Sequence, residues 1–181
     1  VDEQVGVMRV EDRQGKPLAV LFNFAVHGTS LGKNNMEYTA DCMGYAERHV
    51  EAQLGLGAVA IFTNGAEGDA KPTQGGWSGA QCVGEHLGDA VLGLLPQAVP
   101  AQDVPLKAVR QLVHFPQPYL HLDWAAIQGA LNFPQVFAPL KKLNVKVFKF
   151  NSDWLPQDIP FAAIRVGNVV FAGVPGEPIM D

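Results

Sequence analysis

Leu18-Ala-Val-Leu-Phe-Asn-Phe-Ala-Val26 is an apolar run that gives way at once to His27-Gly-Thr-Ser30. A short run rich in Val, Leu and Phe, closed by small and polar residues, reads as a strand buried on both faces. Just upstream, Val5-Gly-Val-Met-Arg-Val10 alternates apolar and polar positions, and Gln14-Gly-Lys-Pro17 is a turn. The two runs therefore make a hairpin. Downstream, Cys42 to Leu54 has helical spacing, with Met43, Ala46, Val50 and Leu54 on one stripe. Ala58 to Thr63 is a further short strand. Gly79 to Leu95 is a second helix with Val83, Leu87, Ala90, Val91 and Leu94 facing inward, ended by Pro96. Strand, helix, strand, helix is an α/β pattern, a mixed sheet with flanking helices.

The pattern changes past residue 100. Leu106 to Phe115 reads as a strand, Pro116 to Pro118 breaks it, and Leu122 to Leu131 has the spacing of a short helix. Lys141 to Phe150 fits helix and strand equally. Ile159 to Val166 and Asn168 to Val174 form a strand pair around the turn at Gly167. Pro175-Gly-Glu-Pro178 then reads as the start of a helix, with Pro178 suited to its first turn. A chain that stops at Asp181 stops inside that element, so a fragment is expected. Gly (19) and Pro (13) are spread evenly, no linker, repeat or low-complexity tract divides the chain, and residues 1–181 read as a single piece.

Composition narrows the function. With 48% hydrophobic and 17% charged residues among 181, the chain can bury a core. Thirteen basic against eighteen acidic residues leave a formal charge of -5, which disfavours nucleic acid and anionic membrane as partners. No apolar run is long enough for a transmembrane segment. Cys42 and Cys82 fit no zinc knuckle and are read as two reduced, partly buried thiols, with a disulfide between them as the alternative.

Three loops come after apolar strands, where α/β proteins place ligand groups. His27 ends the first; a neutral imidazole there can hold a metal or move a proton, or simply sit at the core edge bonded to backbone. Ser30 on the same loop lacks the glycine-flanked setting of a nucleophile elbow. The second, Thr63-Asn64-Gly-Ala-Glu67-Gly-Asp69-Ala-Lys71-Pro72, gathers polar groups but is not a phosphate loop, since no Gly-Lys-Ser/Thr closes it. The third carries Glu177, which could ligate a divalent cation or cap a helix. Together His27, Glu177 and an Asp-bearing loop suit a metal hydrolase with N and O ligands, although two ligands fall short of the three a catalytic zinc needs.

At these residues the chain resembles the neutral/alkaline, non-lysosomal ceramidases. The resemblance rests on Phe24-Ala-Val-His27-Gly-Thr-Ser30, Ala40-Asp41-Cys-Met-Gly44-Tyr45-Ala46, Asn64-Gly-Ala-Glu-Gly68-Asp69-Ala-Lys-Pro72 and Val174-Pro-Gly-Glu177, in that order. It covers residues 1–95 and 159–180 well and 100–158 loosely. It implies part of an N-terminal catalytic domain, incomplete at both ends, of a Zn2+ amidohydrolase that cleaves the N-acyl bond of ceramide. His27 matches the second zinc histidine and Glu177 the zinc glutamate, which implies another His and a Tyr supplied by the remaining segments of the domain, in the same protein or a second chain. Lys71 stands where the family has a serine of its active site, so an amide or ester other than ceramide is an open substrate. Lys71 and Asp69 are then the candidate catalytic residues, and Asn64 a candidate for substrate binding. Asp41 is either a carboxylate that orients the site or a helix N-cap. The resemblance favours an extracytoplasmic or secreted protein. The alternatives are a subunit that kept the fold without the metal, and a metal-independent hydrolase pairing Ser30 with His27.

Overall fold

β1 (Gly6–Glu11) and β2 (Pro17–Phe24) pair antiparallel, as the alternating and apolar runs predict. Their connection is held by Asp12: its carboxylate accepts the N–H groups of Gln14 at 2.9 Å and Lys16 at 2.8 Å. A side chain that bonds backbone a few residues on is the usual reason for Asp at such a bend. The computed structural model describes residues 3–55, 57–114, 121–122, 148–149 and 158–178. These fall in two compact units, Val1–Val104 with Gly176–Asp181, and Pro105–Pro175.

In the first unit α1 (Asp41–Leu54) crosses from β2 to β3 (Val59–Asn64), and β2 and β3 are parallel. The sheet order is β1-β2-β3, with α2 (Gly76–Leu94) next in the chain and a short 3-10 turn at Leu95–Gln97 that contains Pro96. One face of the sheet is closed by the helices: Val20, Phe22 and Ala60 meet Ala46 and Val50 of α1 and Leu87, Val91 and Leu95. The edge of β3 is closed differently. Glu51 accepts the Ala60 N–H at 3.0 Å and Glu47 that of Phe62 at 2.9 Å, so two carboxylates one helical turn apart satisfy donors that would otherwise be free to pair.

Two expectations need correction here. β2 is not buried on both faces. Val20 and Phe22 are buried, but Ala19 and Leu21 are half-buried, and Val10, Val59 and Ile61 around them are exposed. The helices lie on the Val20–Phe22 side, so alternate residues of the strand go without cover. On α2, Ala90 is exposed and Val83 half-buried, whereas Gly84 and Gly88 are buried. A β-carbon at Gly84 would run into the Cys42 carbonyl and Tyr45, and one at Gly88 into His49. Gly84 and Gly88 thus form the part of α2 that meets α1, beside the buried Leu87 and Val91, and their lack of side chains lets the two helices approach closely.

The second unit contains β4 (Leu106–His114), β5 (His121–Leu122), β6 (Phe148–Lys149), β7 (Asp158–Val166) and β8 (Val169–Gly173). β4, β7 and β8 form an antiparallel sheet in that order, and β5 pairs with β6. The turn between β7 and β8 falls at Gly167, with φ of 62°. Leu122, expected to open a helix, lies in β5, and the rest of that expected helix is outside the described residues. In the ambiguous Lys141 to Phe150 segment, Phe148 and Lys149 are strand. Pro175–Pro178, read as the entry to a helix, are themselves not helical, and 179–181, where that helix would continue, lie outside the described residues. Among the described residues no helix is long and apolar enough to cross a membrane.

Candidate functional site

His27 lies three residues past the end of β2, at the C-terminal end of the parallel β2–β3 pair. The loop after β3 is stitched to it. Gly65 N–H donates to the Phe24 carbonyl at 3.0 Å, and Val26 N–H to the Asn64 side-chain oxygen at 3.3 Å. The Ala70 carbonyl accepts two bonds from His27, one from its backbone N–H at 2.9 Å and one from its Nδ1 at 3.0 Å. Because a carbonyl can only accept, that contact assigns the proton to Nδ1 and leaves Nε2 at the far side of the ring.

Nε2 faces Glu177 Oε2 at 3.4 Å. The segment bearing Glu177 is held by the same loop: Gly68 N–H donates to the Pro178 carbonyl at 2.9 Å. Loop 64–72 therefore clasps His27 with one carbonyl and the Glu177 segment with one N–H. The Ala70 carbonyl, followed by the Glu177 carboxylate, holds the protonated imidazole and raises the His27 pKa above 6.5, with burial working in the opposite direction.

The remaining candidates divide into two places. Asn64 braces the loop, its side-chain oxygen occupied by Val26. Lys71 and Asp69 line a cavity of about 490 Å3 between loop 69–74, the end of β2 and α2. Asp41 lies elsewhere, buried at the start of α1. Its Oδ2 accepts the Leu31 N–H at 3.3 Å and its Oδ1 the Cys42 N–H at 2.7 Å, so it ties the loop beyond His27 to the helix. Asp41 is not the N-cap. That position is Ala40, which makes no side-chain capping bond, and Asp41 begins the helix at φ of 49°, a left-handed conformation tolerated by Asp better than by most residues. Burial, then the Asp41 carboxylate, pushes the neighbouring Cys42 thiol up to about 11, which keeps it protonated and unreactive. Cys42 and Cys82 are both free.

Ser30 is buried, and its hydroxyl has no hydrogen-bond partner among the described residues. Both ring nitrogens of His27 are directed at Ala70 and Glu177, so a Ser30–His27 dyad is not assembled. Sequence reasoning misses two participants. The Ala70 carbonyl carries no side-chain signal. His86 reads as a surface or helix-packing residue on a helix and is exposed, and it also lines the same cavity as Lys71.

Among the described residues no three His, Cys, Asp or Glu side chains come together as a metal cluster. His27 and Glu177 are a pair, and the pair fits a tetrahedral ion: ligand atoms each about 2.0–2.1 Å from zinc lie roughly 3.3 Å from one another, and Nε2 and Oε2 are 3.4 Å apart.

The sequence profile described as "Neutral/alkaline non-lysosomal ceramidase, N-terminal" matches residues 1–90. Neutral ceramidase A of Dictyostelium discoideum is 36% identical over 84 residues, and neutral ceramidase B of the same organism 39% identical over 83. Each match covers 42% of this chain and 12% of the relative, so the chain corresponds to a small part of those proteins. The fold is similar to part of the neutral ceramidase from Pseudomonas aeruginosa, with a TM-score of 0.68 at 19% identity over 98% of this chain and 35% of that one. A structure described as ceramidase complexed with C2 aligns with a TM-score of 0.69 at 18% identity, covering 36% of its chain. Through its first 90 residues, which carry the His27 and Gly68-Asp69 loops, the chain belongs to the neutral/alkaline non-lysosomal ceramidase family.

Proposed function

We propose that His27 and Glu177 are two of the ligands of a zinc centre in a ceramidase-type amidohydrolase. The other ligands, a His and a Tyr by the family resemblance, come from the remaining segments of the domain, in the same protein or a second chain. One observation carries this reading. Nδ1 of His27 is committed to Ala70, so Nε2 and the Glu177 carboxylate converge at 3.4 Å as two electron-rich groups. Such a pair is stable only with positive charge between or upon it, either a proton on the imidazole or a metal ion. A histidine and a carboxylate, nitrogen and oxygen donors, suit zinc.

When bound, zinc supplies Lewis acidity to an acyl carbonyl and activates a water near neutral pH. The chain's own residues do the positioning. The Ala70 carbonyl fixes the tautomer and ring plane of His27, and the Gly68 N–H fixes the segment of Glu177. Asp41 anchors the loop beyond His27. Lys71 places a cation on the cavity wall beside Ala70. The substrate of such a site is an N-acyl amide with a lipid-like body, the class named by the relatives.

The test is zinc content and amide hydrolysis in the intact protein and in His27→Ala. Wild type is expected to hold one zinc per active site, and His27→Ala to lose both zinc and hydrolysis. Unchanged zinc stoichiometry in His27→Ala would remove His27 from the centre. A folded wild-type protein that takes up no zinc would instead be a subunit that kept the fold without the metal.

A further inference from the structure

We infer that the cavity lined by loop 69–74, the end of β2 and α2 binds an acyl chain with an anionic head group, held at Lys71. Its volume of about 490 Å3 falls within the roughly 300–1,000 Å3 of small-molecule sites. Phe24, Val83 and Leu87 give it apolar walls of the kind that strip water from a hydrocarbon chain. Phe24, Ala25 and Val26, at and just past the C-terminal end of β2, are among its lining residues, at the end where parallel strands present their ligands. Val26 and Ala70 are in its wall, and these are the residue before His27 and the carbonyl to which His27 donates. His27 and Glu177 themselves are not among its lining residues.

Charge selects the head group. Lys71 makes no ion pair among the described residues, and its side chain is exposed at the wall. Asp69, the acidic group on the same wall, is engaged in an interaction of its own. His86 adds a second nitrogen base from α2. A lysine beside apolar surface lays its stem along that surface and keeps its ammonium for an anion or water. A carboxylate on the ligand forms a charge-assisted bond there, where a hydroxyl forms a neutral-acceptor bond that is weaker. The ligand class rests on the cavity alone; that this ligand is also what the His27–Glu177 site cleaves rests on the hydrolase reading above.

Two sources share this chemistry, a free fatty carboxylate and an N-acyl amino acid. Titration calorimetry on the intact protein in chelator, below the micellar range, would use dodecanoate, N-dodecanoylglycine and dodecanol as probes. Chelator removes any contribution of metal or turnover, so a failure of binding is separate from a failure of the hydrolase reading. Both anions are expected to bind at least about tenfold tighter than dodecanol, the advantage of a charged over a neutral partner. Removing two methylenes from either anion should weaken it by roughly tenfold. Lys71→Met should erase the preference for the anions, and Lys71→Arg should keep it. Val83→Trp, which fills the cavity, should weaken all three probes. Tighter binding of N-dodecanoylglycine than of dodecanoate would assign the carboxylate to the amine side of a substrate, and the reverse would assign it to the acyl product. Equal binding of dodecanol, or an anion preference that survives Lys71→Met, would overturn the assignment of Lys71. Val83→Trp without effect, in a variant that unfolds like wild type, would overturn the placement in this cavity.

Discussion

β2 (PLAVLFNF) and β4 (LKAVRQLVH) both carry Leu, Ala and Val, but β4 adds Lys107, Arg110, Gln111 and His114, and the apolar residues of the two strands end up in opposite circumstances. In β2, Val20 and Phe22 are 0% and 1% exposed. In β4, Leu106, Val109 and Leu112 are 71%, 63% and 59% exposed. The difference lies in the elements that pack on each strand. Over β2, Ala46 and Val50 of α1 and Leu87 and Val91 of α2 close the face. Among the described residues, β4 pairs with β7, and β7 with β8, in an antiparallel ladder that satisfies backbone groups without covering these side chains. Strand formation is a local property of alternating, β-branched sequence, whereas burial is decided by which other element arrives on the face.

The largest effect that would test this contrast is on stability. Phe22→Ala should cost about 3–5 kcal/mol, as for a fully enclosed aromatic. Leu112→Ala should change stability by no more than about 0.5 kcal/mol, as at an exposed position. Urea unfolding of the two variants against wild type reads both. Equal losses would mean that β4 is covered in solution, and the contrast would collapse.

A smaller effect sharpens the comparison within one helix. Gly84 meets the Cys42 backbone and Tyr45, whereas a β-carbon at Gly93 would meet nothing within 4 Å. Gly84→Ala should destabilise by about 1–3 kcal/mol, the usual penalty of overpacking. Gly93→Ala, in the same helix, should stabilise by up to about 1 kcal/mol through the lower conformational entropy of the unfolded chain. Thermal unfolding would separate the two by sign. If both stabilise, the seam between α1 and α2 is loose.

The same division explains how much of the molecule is legible in its residues. The strands and both helices of the first unit can be read within a few residues, because periodicity and turn residues are local signals. The inward face of α2 is misread at Ala90 and missed at Gly84 and Gly88, since an apolar pattern cannot register a contact made by backbone. At the candidate site, His27 and Glu177 can be picked out by their places after strands, and the geometry brings them together. The clasp of loop 64–72 is not legible, because the Ala70 carbonyl and the Gly68 N–H leave no mark in side-chain identity. Asp41 shows the converse problem. Its position before a helical run suggests a cap, but its carboxylate also reaches across to Leu31, ten residues earlier.

The finest test concerns the two units' histidines. Each unit has a His–carboxylate pair at a strand end, His27–Glu177 at 3.4 Å and His114–Asp158 at 3.0 Å. His27 has, in addition, a backbone carbonyl on its other nitrogen, and that carbonyl is the larger cause of its raised pKa. In metal-free protein, His27 should therefore titrate above 6.5 by NMR of the imidazole. Glu177→Gln should lower that pKa while leaving it above 6.5, because the Ala70 bond remains and outweighs burial. A pKa falling to 6.5 or below would show that the carboxylate, and not the carbonyl, governs the ring. Linkage then gives the sign for stability. A histidine whose pKa is higher folded than unfolded adds stability that is fully present below the unfolded value, and loses it as pH rises through the folded value. Metal binding runs the other way, since a ligand imidazole must shed the proton on Nε2. Zinc affinity should therefore climb with pH until His27 is neutral, over the same interval in which the metal-free protein loses its small histidine contribution.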